Sequence, residues 1–228
     1  MATSYQLSFE QPIHEIEAQI RDLESVAADS SDVRDQIGQL RRQLNETIRS
    51  IYKNLDPWET VRVARHPERP MFTDYVENVF DEFVELHGDK FFGDDRALRT
   101  GFAKLDEFKV MLVGHHKGKT TKERTDCFFG CAHPEGYRKA ISKMRLAAKY
   151  GLPIITLIDT AGAYPGIGAE ERGQAQAIAE NMLAMSLLPT PIICGVIAEG
   201  GSGPAPGVGV VALNAALQRA YFAGGTPP

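Results

Sequence analysis

Two glycine-rich segments carry the clearest chemical signal in this sequence. Residues 199–203 read EGGSG, and residues 159–173 read DTAGAYPGIGAEERG. Successive glycines expose backbone N–H groups toward one point, a geometry that can stabilise a developing oxyanion or bind a phosphate. In the longer segment, Gly162, Gly166 and Gly168 allow positive φ and close backbone approach, while Pro165 stiffens the loop. Either segment alone could be an ordinary capped turn, so the pair is the informative feature.

A basic segment precedes them, where residues 115–124 read HHKGKTTKER. Its lysines could attract the phosphates of a coenzyme as point charges, although a solvated run of charges is an equally good interpretation. A Walker A loop is excluded, because three residues separate Gly114 from Gly118 and the motif requires four. The lysines are Lys117, Lys119 and Lys122.

The sequence gives little support for a metal site or for a nucleophilic serine. Cys127 and Cys131 have a loose zinc-ligand spacing with His133 nearby, but no second ligand pair follows, so no metal site is expected. Ser202 lies in Gly-Gly-Ser-Gly-Pro instead of the Gly-x-Ser-x-Gly pattern of a hydrolase, and we do not expect it to be a nucleophile.

The elements that must position the glycine-rich segments are two short apolar runs, residues 153–158 and 191–197, predicted to be buried strands. A helical pattern over residues 170–186 separates them, and a unit of this length predicts a parallel pair in an α/β domain. Ligands bind at the carboxyl ends of such strands, so the two segments are expected side by side. The helical spacing runs through Ala175, Ile178, Met182 and Met185.

Elsewhere the pattern predicts a strand hairpin from residues 101–105 and 110–113, and a helix over residues 134–150. A further helix is predicted over residues 73–86, with Thr73 as its N-cap. Two amphipathic helices at the N-terminus favour either an oligomer contact or a pair of surface helices. The predicted divisions are a helical hairpin over residues 1–55, a connector and helix over 56–87, an α/β core over 88–209 and a tail over 210–228.

Composition limits the class of protein. The chain has 228 residues, 43% of them hydrophobic, which is enough for one sizeable core with an appendage. A formal net charge of -5 gives no reason to expect a nucleic-acid partner. Neither a secretory signal nor a membrane span is expected. The three cysteines favour a reducing compartment, and the cytoplasm is the expected location.

Six strings, in order from about residue 8 to residue 203, give the chain a specific resemblance. They are FEQPIHEIEAQI, ARHPERP, GHHKGKTTKE, PEGYRKA, PIITLIDTAGAYPGIGAEERGQAQAIA and IAEGGSG. They resemble the carboxyltransferase alpha subunits of multi-subunit bacterial and plastid acetyl-CoA carboxylases. The resemblance implies an α/β fold of crotonase type, built from ββα repeats, with oxyanion holes made of backbone amides.

The resemblance also implies a reaction and an assembly. Such alpha subunits join a beta subunit in an α2β2 assembly and move a carboxyl group from carboxybiotin, held on the biotin carboxyl carrier protein, to acetyl-CoA. The product is malonyl-CoA, used in fatty acid biosynthesis. No cofactor is bound directly, because carboxybiotin and acetyl-CoA are substrates, and a separate biotin carboxylase uses the ATP.

Matching positions assign the site residues by resemblance. The backbone amides of the oxyanion segment belong to Gly200, Gly201 and Gly203. The opposing substrate-binding loop comprises Gly162, Ala163, Tyr164, Pro165 and Gly166. The basic loop expected to face substrate contributes Lys117, Lys119 and Lys122.

The sequence departs from the family pattern at Pro204, where the family has glycine. Proline has no N–H, and one missing oxyanion donor costs about 100-fold or more in rate. Beyond Pro206 the resemblance weakens, which predicts a C-terminal truncation or a frameshift and a fold left incomplete at that end. A catalytically inactive subunit that retains only partner binding is therefore the alternative function. A third interpretation, a stand-alone hydratase, would need Glu170 and Glu199 as paired carboxylates.

Overall fold

The computed structural model describes residues 5–26, 31–201, 206–209, 213–216 and 221–222. The chain divides into two compact units, residues 1–66 and residues 67–228. Gly203, Pro204 and Ser202 lie outside the described residues, as does most of the predicted tail.

The first unit is helical. Its helices are α1 (Gln11–Val26), α2 (Ser31–Lys53) and α3 (Pro57–Ala64). The first two pack against each other as the predicted hairpin, and Arg41 of α2 pairs with Glu24 of α1 at 3.0 Å. Asp56 caps α3, because its carboxylate accepts the backbone N–H of Glu59 at 2.7 Å.

The second unit is built on one sheet. Its strands are β1 (Glu82–Glu85), β2 (Leu98–Leu105), β3 (Phe108–His115), β4 (Ile154–Thr160), β5 (Ile192–Gly200), β6 (Leu213–Ala216) and β7 (Tyr221–Phe222). The spatial order runs from β1 to β6 in sequence, with β7 also beside β5. The first three strands are antiparallel and β3 to β6 are parallel, so the predicted hairpin and the predicted parallel pair are both present.

The described part of this unit also contains α-helices, several of which pack on the sheet. They are α4 (Phe72–Val79), α5 (Thr121–Asp126), α6 (Pro134–Lys149), α7 (Ile167–Glu171), α8 (Gln174–Ser186) and α9 (Pro206–Gly209). The strands β2 and β3 followed by α6 form one ββα unit. Within the described ranges, no helix combines the length and the apolar character needed to cross a bilayer.

Successive side chains of β3 point to opposite faces of the sheet and belong to two hydrophobic clusters, one on each face. Met111 and Val113 lie in the cluster that includes residues of α6 and α8. Val110 and Leu112 lie in the cluster that includes Phe72 of α4. The strand β3 is therefore buried on both faces, as is typical of the continuous apolar strands of a parallel sheet.

The helix predicted over residues 73–86 is shorter than expected, and its N-cap is Met71 and not Thr73. It ends at Val79, and β1 follows as an edge strand on β2. Tertiary packing decides that these residues form a strand. β1 pairs with β2 so closely at Gly101 that a Cβ there would be 2.5 Å from the Val84 carbonyl oxygen. The helical spacing of the apolar residues could not reveal that contact.

The helix predicted over residues 170–186 is divided into α7 and α8 at Gly173, which has a φ of 79°. Its buried face also differs from the predicted one. The buried residues of α8 are Gln174, Ala177, Asn181 and Met185, whereas Met182 is partly exposed. Two buried polar side chains replace apolar ones because they bind backbone carbonyls of neighbouring segments.

Candidate functional site

The loops that follow β4 and β5 touch each other, as predicted. Gly200 pairs with Thr160 in the ladder between the two strands. The next amide, the N–H of Gly201, donates to the Thr160 carbonyl at 2.9 Å. A Cβ at Gly201 would lie 2.5 Å from the carbonyl oxygen of Ala161, so only glycine permits this approach.

This pairing changes the expected donor set. Because the N–H of Gly201 is used between the strands, it is not available to an oxyanion in this arrangement. Amide roles for Gly200 and Gly203 stay predictions, and Gly203 lies outside the described residues.

For the glycines of the other loop, the structure shows an open approach to the backbone at one position but no positive φ at three. Among the described glycines, Gly162, Gly166 and Gly168 are not in the positive-φ region. Gly166 is needed for packing, because a Cβ there would collide with the ring of Tyr164. Gly162 borders open space, since no described atom beyond its chain neighbours lies within 4 Å of its Cβ position. A ligand could therefore approach the backbone at Gly162.

Four charged side chains are clustered at the strand ends next to these loops. The ammonium Nζ of Lys117 lies 3.0 Å from Oδ1 of Asp159 and donates to Oε1 of Glu199. The guanidinium of Arg69 donates to the other oxygen of Asp159. The exposed fractions of these side chains are only 13% for Lys117, 11% for Arg69, 1% for Asp159 and 5% for Glu199. Two positive and two negative charges balance, as buried charges must.

The structure does not support the predicted role of Lys117 in attracting substrate phosphates. Its ammonium group is directed at two carboxylates of the sheet, and so a phosphate-binding role for it has no support in this geometry. The other two lysines of the basic segment lie outside this cluster. Lys119 pairs with Asp74, which raises the pKa of Lys119, and Lys122 is exposed.

A neutral histidine lies beside the charged cluster. His115 is fully buried at the end of β3, and burial lowers its pKa to about 4, although the nearby Asp159 opposes that shift. The imidazole is therefore uncharged at neutral pH and adds no net charge to the cluster.

The substrate-binding loop predicted over residues 162–166 and the segment beside it are held by hydrogen bonds from both backbone and side-chain groups. The N–H of Tyr164 donates to the Ala132 carbonyl at 3.0 Å, and Nε2 of Gln174 donates to the same carbonyl at 2.7 Å. Thr160 contributes a further tie, because its hydroxyl donates to the Gly130 carbonyl at 2.8 Å. Within the loop, Ala163 is partly buried and Pro165 is exposed.

An aromatic group borders the same loop. The rings of His133 and Tyr164 are stacked at 4.1 Å, and Phe128 meets His133 edge-on at 4.3 Å. Phe128 and Phe129 both have positive φ, 48° and 56°, an unfavourable conformation for non-glycine residues. Strain of this kind often accompanies functional sites.

Asp95 anchors the segment that carries His133. Its carboxylate accepts the backbone N–H of His133 at 2.7 Å and that of Ala97 at 2.8 Å. Burial raises the pKa of Asp95 to about 6, against the opposing effect of these amides. This support for the site was not apparent from the sequence.

No cluster of three or more potential metal ligands occurs in the part of the chain that the structure describes. All three cysteines are free thiols, and burial raises the pKa of Cys127 to about 11. The charged cluster was missed by the sequence reasoning. Its signals were the carboxylate at the start of each glycine-rich segment and Arg69, the second arginine in ARHPERP, but only the sheet shows that they meet.

The fold defines the class of protein. Transcarboxylase 12S, solved with hydrolysed methylmalonyl-coenzyme A bound, aligns with 72% of this chain and 32% of its own chain, with a TM-score of 0.57 and 20% identity. The beta subunit of geranyl-CoA carboxylase from P. aeruginosa aligns with 63% of this chain and 25% of its own, with a TM-score of 0.51 and 18% identity. The chain therefore shares the α/β fold of these two structures, in agreement with the crotonase-like fold that was predicted.

Sequence similarity then gives the family. The model described as acetyl co-enzyme A carboxylase carboxyltransferase-like matches residues 6–227, and the chain belongs to that family. A relative from Rhodopirellula baltica, named acetyl-coenzyme A carboxylase carboxyl transferase subunit alpha, is 60% identical over 95% of this chain. Relatives of the same name from Haemophilus influenzae and Geobacter metallireducens are 52% and 49% identical over 90% and 92% of it. The chain spans 68%, 65% and 66% of the lengths of these three relatives.

Proposed function

We propose that this chain acts as an alpha subunit of an acetyl-CoA carboxylase carboxyltransferase. It would transfer the carboxyl group of carboxybiotin, carried on the biotin carboxyl carrier protein, to acetyl-CoA, forming malonyl-CoA. Family membership supports the reaction class, and the contact between the loops after β4 and β5 is the observation that carries the proposal for this site.

The chemistry suits a site built from backbone. The C–N bond of carboxybiotin breaks, CO2 leaves, and the electron pair stays on the biotin ureido group, whose oxygen carries the charge. That anion takes a proton from the methyl group of acetyl-CoA, and the resulting carbanion attacks CO2 to form malonyl-CoA. Amides directed at the ureido oxygen each contribute about 3 kcal/mol to stabilising the transition state. The open backbone at Gly162 supports an approach from that side.

The proposal includes partners and a location. The partners are a beta subunit in an α2β2 assembly, the carrier protein and a biotin carboxylase that uses ATP. Three unpaired thiols support a reducing compartment, for which we propose the cytoplasm.

A catalytically inactive subunit that still binds its partners is the second candidate. Pro204 favours it, because proline cannot supply an amide where the family has glycine. A hydratase is disfavoured, because Glu199 is held by Lys117 in the sheet unit while Glu170 is exposed on α7.

The test is carboxyl transfer by the full chain co-expressed with a matching beta subunit, measured as malonyl-CoA formed from carboxylated carrier protein and acetyl-CoA. Gly162→Ala adds a methyl group in the open space and should reduce the rate about 100-fold without changing the circular dichroism spectrum. Gly93→Ala, whose added methyl group also meets open space, is the matched control and should retain full activity.

Transfer by the unaltered chain supports the first proposal. Co-elution with the beta subunit without transfer supports the inactive subunit. Full activity of Gly162→Ala would refute the assigned approach to this loop.

A further inference from the structure

Lys117 lies where three segments of the chain meet. Asp159 belongs to β4 and Glu199 to β5, so the ammonium group bridges carboxylates on neighbouring parallel strands, just before the two glycine-rich loops begin. Without that cation, the two buried carboxylates would repel each other across the strand pair.

The aliphatic part of the Lys117 side chain is equally constrained. It passes against Gly130, where an added Cβ would lie 2.6 Å from Cγ of Lys117 and 3.1 Å from the carbonyl oxygen of Asp159. Gly130 has a φ of 79°, and its carbonyl accepts a hydrogen bond from the hydroxyl of Thr160. One side chain therefore contacts the turn before α6 and the ends of both strands.

The hydrogen bonds of the loops begin directly beyond these carboxylates. Thr160 follows Asp159 and accepts the N–H of Gly201, and Gly200 follows Glu199. A change in the separation of the two carboxylates would therefore be transmitted within one residue to the backbone of both loops.

We propose that Lys117 is a positioning residue, which sets the spacing of the loops after β4 and β5 by bridging Asp159 and Glu199. The expected effect of Lys117 on catalysis rests on the proposed function. The proposal goes beyond that function by assigning a lysine of the basic segment to the support of the backbone instead of to contact with substrate phosphates.

The kinetic test uses Lys117→Met in the full chain with the beta subunit. Displaced loops should lower kcat about 100-fold while the KM for acetyl-CoA stays within about twofold. Lys109→Met, which changes an exposed lysine at the opposite end of β3, is the control and should leave both constants unchanged. A raised KM with an unchanged kcat would overturn the proposal, because it would indicate direct contact with the coenzyme.

Amide hydrogen exchange of the chain alone gives a second readout that does not depend on activity. In Lys117→Met, the N–H of Gly201 should exchange at least about tenfold faster, while the amide of Ala140 in α6 keeps its rate. Failure of carboxyl transfer by the unaltered chain would count against the proposed function only, and the exchange result would still decide the role of Lys117.

If Lys117→Met instead lowered the stability of the whole fold, the amides of Gly201 and Ala140 would both exchange faster. The double variant Lys117→Met/Glu199→Gln then decides, because it removes one of the two carboxylates along with the cation. Recovery of slow exchange at Gly201 supports charge bridging as the positioning device. Exchange at Gly201 that is unchanged in the single variant, or unrecovered in the double variant, would overturn it.

Discussion

Single residues in the sheet unit show how buried charge is tolerated. Lys139 is almost fully buried and donates to Asp94 at 2.5 Å and to the Asp95 carbonyl at 2.7 Å. Asp89 is also buried, and one of its oxygens accepts three successive backbone amides at 2.9 to 3.0 Å. Its other oxygen accepts Nε of Arg138 at 2.8 Å. Lys139 and Asp89 each have a partner of opposite sign, and Asp89 has a set of amides as well.

Asp89 gives a pH-dependent prediction. Burial alone would raise its pKa, but the amides and Arg138 outweigh burial and lower the pKa to about 2. Because this value is below the unfolded one, about 3.9, the ionised carboxylate stabilises the fold above about pH 4, and that contribution is lost as the pH falls toward 2. Asp89→Asn should therefore cost about 2 kcal/mol at neutral pH and about half of that near pH 3, because the folded carboxylate stays largely ionised until the pH approaches 2.

Urea denaturation of Asp89→Asn and the unaltered chain at several pH values measures this effect. Asp81→Asn, at an exposed position, serves as the control. A loss of stability that stayed constant between neutral pH and pH 3 would show that the carboxylate charge is not the cause.

At the scale of elements, α8 is attached to its neighbours by buried polar groups. Nδ2 of Asn181 donates to the Tyr137 carbonyl of α6 at 2.8 Å and to the Gly207 carbonyl of α9 at 3.1 Å. Gln174, at the start of α8, holds the loop that carries Tyr164. The helix between β4 and β5 therefore orients the loop predicted to bind substrate as well as filling the core.

Asn181→Ala should lower the free energy of unfolding by about 2 kcal/mol, because it leaves two buried carbonyls without this donor. Gln176→Ala, on the exposed face of the same helix, should change it by less than about 0.5 kcal/mol. Chemical denaturation compares the two, and equal losses would mean that helix propensity, not the buried amide, explains the effect.

At the scale of the molecule, the two units have separate internal structure. The first consists of helices, and both hydrophobic clusters of the sheet unit draw their residues from position 72 onward. The sheet should therefore keep its order without a covalent link to the helical unit.

Cleavage of an engineered protease site between His66 and Pro67 tests this independence. Amide exchange in β3, β4 and β5 should remain within about twofold of the uncut protein. A large loss of protection in these strands after cleavage would show that the sheet requires the helical unit.

The sequence by itself determined the strand pair, the helical character of the segment between the strands and the meeting of two glycine-rich loops. Apolar runs of strand length and helical spacing are local properties, and parallel strands must end at the same edge. The glycines at positions 162 and 201 could be singled out for that reason, and the family resemblance added the reaction.

Only the tertiary structure decided which side chains fill the space next to those loops. The charged cluster consists of residues far apart along the chain: Arg69, Lys117, Asp159 and Glu199. Their contact depends on the strand register and on the path of the turn at Gly130. The same holds for β1, which forms over Gly101 although its residues also fit a helix. Local pattern fixes what a segment can form, whereas long-range contacts select what it does form, because burial energy is gained only when distant segments pack.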